Sequence, residues 1–196
     1  METVIETRNL TKQFGSLRAV DEVNFTLRRG QIYGLIGKNG AGKTTLMRMI
    51  AGFCNPTRGE ILINGSLDLN RERHRLGTLI ETPAFYPHMS ALSNMKAQAI
   101  LRPGTQSPED LLKLLGIWEA RKRRVCAFSL GMKQRLGIAL ALLGDPDIVL
   151  LDEPINGLDP AGIHELRETL KKINLERGVT FVISSHILDE LAKLAT

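Results

Sequence analysis

The hydrophobic positions of this chain change period along its length. Residues 2–10 alternate weakly, with Val4, Thr7 and Leu10 on the side to be buried, and Phe14-Gly15 marks a turn. Over residues 19–27 the alternation is clear, with Val23, Phe25 and Leu27 set against Asn24 and Thr26. Period two predicts a half-buried strand, antiparallel to the first. Short continuous apolar runs follow at residues 32–36, 61–63, 76–80, 148–151 and 179–184, each bounded by turn residues. Runs of this kind predict buried strands, and Asn64-Gly65 after the second is a hairpin-type dipeptide.

Helical spacing appears between these runs. Leu46, Met49 and Ile50 form one stripe, closed by Gly52. From residue 90 to 143 helices dominate. Ser90 caps one that runs to Leu101 and ends at Pro103-Gly104. Ser107-Pro108-Glu109-Asp110 supplies a cap, a first-turn proline and acids near the positive helix end, followed by Leu111, Leu112, Leu114 and Leu115 before Gly116. A third helix covers residues 132–143, between Ser129 and Gly144. Asp159-Pro160 opens a fourth, with Ile163, Leu166, Leu170 and Ile173 inward and Gly178 at its end, and a last helix begins near His186. Strand and helix alternate, so the fold class is α/β with a mostly parallel sheet. An N-terminal antiparallel β layer precedes it, and residues 83–144 read as an inserted helical subdomain between core segments 1–82 and 145–196.

Composition narrows the setting. The 196 residues suffice for one core. The most apolar segment, residues 136–143, is far too short to cross a bilayer, and Met1-Glu2-Thr3-Val4 shows no export pattern. Cys54 and Cys126 make no disulfide framework, which places the chain in a reducing compartment. The net charge of +5 gathers at residues 71–75 and 121–124. No aromatic residues interleave these clusters for base stacking, so solvated helix faces are the better reading than a nucleic-acid or membrane surface.

Three stretches carry chemistry. Gly37-Lys38-Asn39-Gly40-Ala41-Gly42-Lys43-Thr44-Thr45 lies between an apolar strand and a helix and fits Gly-x-x-x-x-Gly-Lys-Thr. Its glycines let backbone N–H groups turn onto phosphate oxygens, and the following helix aims its positive end at the same point. Lys43 brings a point charge to the outer phosphates, and Thr44 a hydroxyl for Mg²⁺. The run 148–151 ends in Asp152-Glu153, one acid to support the metal and one to orient or deprotonate water. Phe128-Ser129-Leu130-Gly131-Met132 opens a helix, which reads either as simple capping or as an anion site.

With these residues in place, the chain resembles the nucleotide-binding domains of ABC transporters along nearly its whole length. The family's Leu-Ser-Gly-Gly-Gln signature corresponds to residues 128–132, with Leu130 in place of the first glycine and Met132 in place of the glutamine. The 23 residues from Ser129 to Asp152 fit one helix and one turn. The resemblance implies a single ATPase domain of the phosphate-loop NTPase type, with Mg²⁺ and ATP in a head-to-tail dimer. Ser129, Gly131 and Met132 of one copy would face the ATP of the other. It assigns Phe14 to stacking on adenine, against membership of the core. Asp159, in Asn156-Gly157-Leu158-Asp159, belongs to the dimer-interface loop while capping the next helix. His186 contacts the terminal phosphate, Glu153 activates water, Asp152 supports the metal, and Glu81 stands where the family has a metal-sensing glutamine. The resemblance further implies a transmembrane permease as partner, a place on the cytoplasmic face of the membrane, and no nucleic acid. Residues 80–87 are similar to the bacitracin-resistance and lantibiotic-immunity exporters. The alternatives are a non-transporter ABC ATPase acting on ribosomes or nucleic acid, and a regulatory module that binds ATP without cleaving it. The family continues with another strand and helix beyond the region of His186, so a truncated C-terminus is the expectation.

Overall fold

The computed structural model describes residues 2–188. Three strands form the antiparallel layer: β1 (Thr3–Phe14), β2 (Leu17–Arg28) and β4 (Arg58–Ile63), in the order β2-β1-β4. The third comes from beyond the glycine-rich loop, so the layer brackets that loop in sequence rather than merely preceding it. The second sheet is parallel throughout. It contains β3 (Ile32–Ile36), β5 (Leu76–Leu79), β6 (Ile148–Leu151) and β7 (Thr180–Ser185), in the order β3-β7-β6-β5.

Both faces of the parallel sheet are covered, which is why its central strands read as unbroken apolar runs. Along β6, Ile148 and Leu150 face the antiparallel layer and α1 (Lys43–Ala51), with Met47, Met49 and Ile50. Val149 and Leu151 face the opposite side, toward Leu136, Ile138, Leu166 and Leu170. β3 departs from the expectation of a buried strand. Its only neighbour among the described residues is β7, and Ile36 is 48% exposed, as befits an edge.

The helical block follows β5. It consists of α3 (Ala91–Leu101), α4 (Pro108–Leu114) and α5 (Leu130–Ala141), while a short α2 (Leu69–Glu72) lies ahead of β5. Ser90 and Ser107 cap α3 and α4 as expected, accepting from the N–H groups of Ser93 and Asp110. α5 begins two residues earlier than its apolar spacing implies. Ser129 caps it by accepting from Met132 N, so residues 130–132 are its first turn. α6 (Pro160–Arg177) is capped by Asp159 and stopped by Gly178. Arg135 on α5 ties the helices together, donating to Leu115 O (3.2 Å) and pairing with Glu165 Oε2 on α6 (2.8 Å). The final helix expected near His186 lies outside the described residues. Among the described residues no helix is long and apolar enough to cross a membrane.

The approach of α5 to β5 depends on Gly77. A Cβ built there collides with the carbonyl oxygen of Ala141 and comes within 3.2 Å of Val149 Cγ2. Backbone cannot yield as a side chain can, so Gly77→Ala is expected to destabilise the chain by about 1–3 kcal/mol, the usual cost of overpacking. Denaturant unfolding measures it; an unchanged midpoint would show that α5 is free to move off the sheet.

Candidate nucleotide site

Parallel register brings the chemistry together. Ile36 pairs with Ser185, Leu151 with Ile183 and Leu79 with Leu151, so the carboxyl ends of all four strands lie at one edge. The residues just beyond those ends are Gly37, Asp152, His186 and the segment before Glu81. Ligand sites of open parallel sheets form at this edge.

The glycine-rich loop leads from β3 into α1. Gly42 takes φ +88° as the N-cap of α1, and a Cβ there collides with Ala19 O of β2 and lies 3.4 Å from Val20 Cγ2. Only glycine satisfies both the turn and the contact with the antiparallel layer. With no side-chain cap at Gly42, the first N–H groups of α1 are left to an external acceptor. Lys43 is 8% exposed, and its Nζ donates to Gly37 O (2.6 Å) and Lys38 O (3.2 Å). Lys38, Asn39, Gly40 and Ala41 close the turn, Ala41 N donating to Lys38 O (3.1 Å). Thr44 and Thr45 follow in the first turn of α1.

The acids meet this loop directly. Thr44 Oγ1 donates to Asp152 Oδ2 (2.7 Å), and Lys43 Nζ lies 3.4 Å from Glu153 Oε1. The other oxygen of Glu153 is 2.9 Å from His186 Nδ1. Thus Lys43, Thr44, Asp152, Glu153 and His186, far apart in sequence, form one connected cluster. Thr44 and Asp152 present adjacent hard oxygens, a donor set suited to Mg²⁺ completed by phosphate and water.

Sequence reasoning missed two supports of this cluster. Ser184, fully buried, donates to Asp152 Oδ1 (2.5 Å) and accepts from Glu153 N (2.8 Å). Gln134, 7% exposed on α5, donates to Glu153 O (3.2 Å). The available signals were a serine inside an apolar strand and a glutamine one turn past Ser129.

The remaining candidates sit apart. Glu81 does not join the Thr44–Asp152 pair by any hydrogen bond among the described residues. Its Oε1 accepts from Arg48 Nη1 on α1 at 3.1 Å, with φ +61° at its backbone. Phe14 is 52% exposed with Lys12 Nζ 5.0 Å from its ring centre, so it is no core residue. Ser129 Oγ serves as the α5 cap, accepting from Met132 N (3.3 Å), while Met132 packs half-buried against the core. Gly131 lies beside Leu158. Asp159 Oδ1 accepts from Gly162 N (3.0 Å), confirming its role as a cap.

A parallel sheet whose glycine-rich loop meets a strand-end acid pair defines a nucleoside-triphosphate-binding domain of the phosphate-loop type. The comparisons narrow this. The sequence profile described as ABC transporter matches residues 20–156, and the chain belongs to that family. It is 44% identical over 200 residues to the bacitracin transport ATP-binding protein BcrA of Enterococcus faecalis, covering 100% of this chain and 65% of that protein. It is 42% identical over 193 residues to the lantibiotic transport ATP-binding protein SrtF of Streptococcus pyogenes, covering 98% and 84%. The chain thus spans about 65% of the length of its bacitracin-transport relatives. Among solved structures, an ATP-binding subunit of an ABC transporter superposes with a TM-score of 0.85 at 30% identity, covering 98% of this chain and 83% of that one. The dimeric bacterial ABC transporter cassette MJ0796 gives 0.84 at 27%, covering 96% and 90%.

Ser184→Ala removes the donor to Asp152 and leaves Glu153 N–H without its acceptor. The expected loss is about 1–3 kcal/mol of stability, the cost of an unsatisfied buried group. Denaturant unfolding checks it; an unaltered curve would mean that water or a shifted backbone takes over both bonds.

Proposed function

We propose that this chain is the ATP-hydrolysing cassette of an exporter, working as a head-to-tail pair with a separate transmembrane permease on the cytoplasmic face of the membrane. The observation that carries the reading is the joined cluster of phosphate loop and acid pair, with Lys43, Glu153 and His186 in one chain of contacts. Lys43 and the amides of residues 37–45 bind the phosphates, and Phe14 stacks on the base. Asp152 and Thr44 hold Mg²⁺, which when bound offsets phosphate charge. Glu153 takes the proton of a water attacking the terminal phosphorus in line, while His186 holds the phosphate oxygens. Glu81, paired with Arg48 of α1, would be the residue that senses the metal and links the site to the helical block. Ser129, Gly131 and Met132 of the second copy close over the nucleotide, and Asp159 lies in the interface loop.

The helical block of residues 83–144 supplies the permease-docking face. Two adjoining cavities of about 260 and 400 Å³ run between the end of α1, β5 and α3. Phe53, 57% exposed, borders both, as does Arg102. Burial lowers the pKa of the guanidinium groups of Arg102 and of Arg73 in the larger cavity. A permease segment with apolar residues and an acid fits this lining. The bacitracin and lantibiotic relatives favour a peptide antibiotic as cargo.

Glu153→Gln is expected to keep ATP binding and to cut phosphate release by about 10²–10⁴-fold, the usual contribution of a general base. Full turnover in this variant would remove Glu153 from the reaction. Lys43→Ala, in contrast, is expected to weaken ATP binding by about tenfold to a hundredfold, the loss of a charge-assisted bond. Undiminished affinity in a nucleotide titration would refute the phosphate-loop assignment.

A further inference from the structure

Helix α5 and the acid-tipped loop after β6 meet through two glycines and two leucines. Leu130, in the first turn of α5, lies over Gly157. A Cβ built on Gly157 falls inside the contact distance of Leu130 Cδ2 and 2.9 Å from its Cγ. The reverse contact mirrors it, for a Cβ on Gly131 would be 2.7 Å from Leu158 Cδ2. Each leucine therefore occupies the notch left by the other segment's glycine. A few residues along α5, Gln134 donates to the carbonyl of Glu153 at the start of the same loop. Helix and loop are thus fixed to each other at three points, all between residues 130–134 and 153–158.

Leu130 is 59% exposed, so its burial contributes little to the core. It also stands where the family signature has glycine. A large side chain there would cost contact space if the loop beneath it carried a Cβ, but Gly157 carries none. We propose that Leu130 is a positioning residue, which through Gly157 fixes the loop bearing Glu153 and Asp159 to the helix bearing Ser129. The Leu130–Gly157 contact then sets where α5 and its Ser129 stand relative to Glu153, which Ser184, Lys43 and His186 hold to the sheet and the glycine-rich loop. This rests on the ATPase reading above.

A double-mutant cycle in the full chain tests the contact, with kcat and KM for MgATP and the affinity for a fluorescent ATP analogue as readouts. Leu130→Ala removes the atoms that reach Gly157 and is expected to lower kcat about tenfold, within the range of coupled neighbours, with KM and affinity unchanged. Leu130→Met keeps the reach and is expected to restore most of kcat. Gly157→Ala is strained by its φ of +79° in any background. In the Leu130 background it also displaces the leucine, whereas the new Cβ sits at an ordinary 3.6 Å from the Cβ of residue 130. The fold-loss from Gly157→Ala is therefore expected to be about tenfold smaller when residue 130 is already alanine. Equal losses in the two backgrounds would overturn the proposal. So would a Leu130→Ala variant that raises KM at constant kcat, which would make Leu130 a nucleotide contact. If Gly157→Ala does not fold, the alanine and methionine variants at residue 130 decide alone. Unmodified chain without Glu153-dependent turnover would overturn the ATPase reading and this one together, while normal turnover with silent variants overturns this one only.

Discussion

One buried hydroxyl holds the site in place. Ser184 Oγ lies between Asp152 Oδ1 and Glu153 N, donating to the first and accepting from the second. It can do both only because β7 and β6 run parallel in a register that sets Ile183 beside Leu151. A slip of one residue would turn Ser184 to the other face of the sheet and Asp152 would lose its donor. The remaining oxygen of Asp152 reaches Thr44, and through it α1 and the glycine-rich loop. Strand pairing, acid placement and loop placement are therefore one geometric condition rather than three.

Two of the acids at this edge, Glu153 and Glu81, are held with unequal force. Glu153 and Glu81 both have positive φ, at +47° and +61°. For residues with a Cβ this conformation costs of order 1–3 kcal/mol and persists where the surroundings enforce it. Glu153 is enforced from several sides: its N–H by Ser184, its carbonyl by Gln134 and Asn156 N, and its carboxylate by Lys43 and His186. Among the described residues Glu81 has one side-chain partner, Arg48, in a pair whose members are 56% and 45% exposed. Exposed pairs contribute about 0–1 kcal/mol, less than the strain they face. A firmly held Glu153 beside a loosely latched Glu81 fits the proposed division, in which one group does chemistry and the other reports on occupancy.

Much of this was legible in the sequence, for identifiable reasons. Period-two alternation gave β1 and β2, cap residues gave α3, α4 and α6, and the motif context around Lys43 placed the phosphate loop. The Asp152–Glu153 pair was visible because its strand is apolar on both faces. Local rules failed where a partner from elsewhere decides the outcome. β3 reads as buried because it is apolar, yet edge position is a property of the sheet order. α5 starts at Leu130 because Ser129 caps it, whereas apolar spacing registers only from Met132. The pairing of Glu81 with Arg48 of α1 was not legible because the two lie 33 residues apart. Ser184 and Gln134 escaped notice because a buried polar side chain signals its role only through the backbone atoms it meets.

The signature segment shows the same limit most sharply. Compared with the family pattern, Leu130 and Met132 look like two losses. In three dimensions Met132 packs half-buried against the core, and the bulk at Leu130 is matched by the missing Cβ at Gly157. Leu130 is 59% exposed, but the side of it that faces the loop leaves no room for a Cβ at residue 157. The vacancy here lies 27 residues downstream of Leu130, in the loop that carries both acids of interest. The departure at Leu130 is thus accommodated by a glycine in another segment. Leu158 fills the notch at Gly131 in return, so the two segments meet at both places. The departure at the signature therefore lies in how α5 packs on the loop after β6, and the contacts joining the glycine-rich loop, Asp152, Glu153 and His186 are made without it.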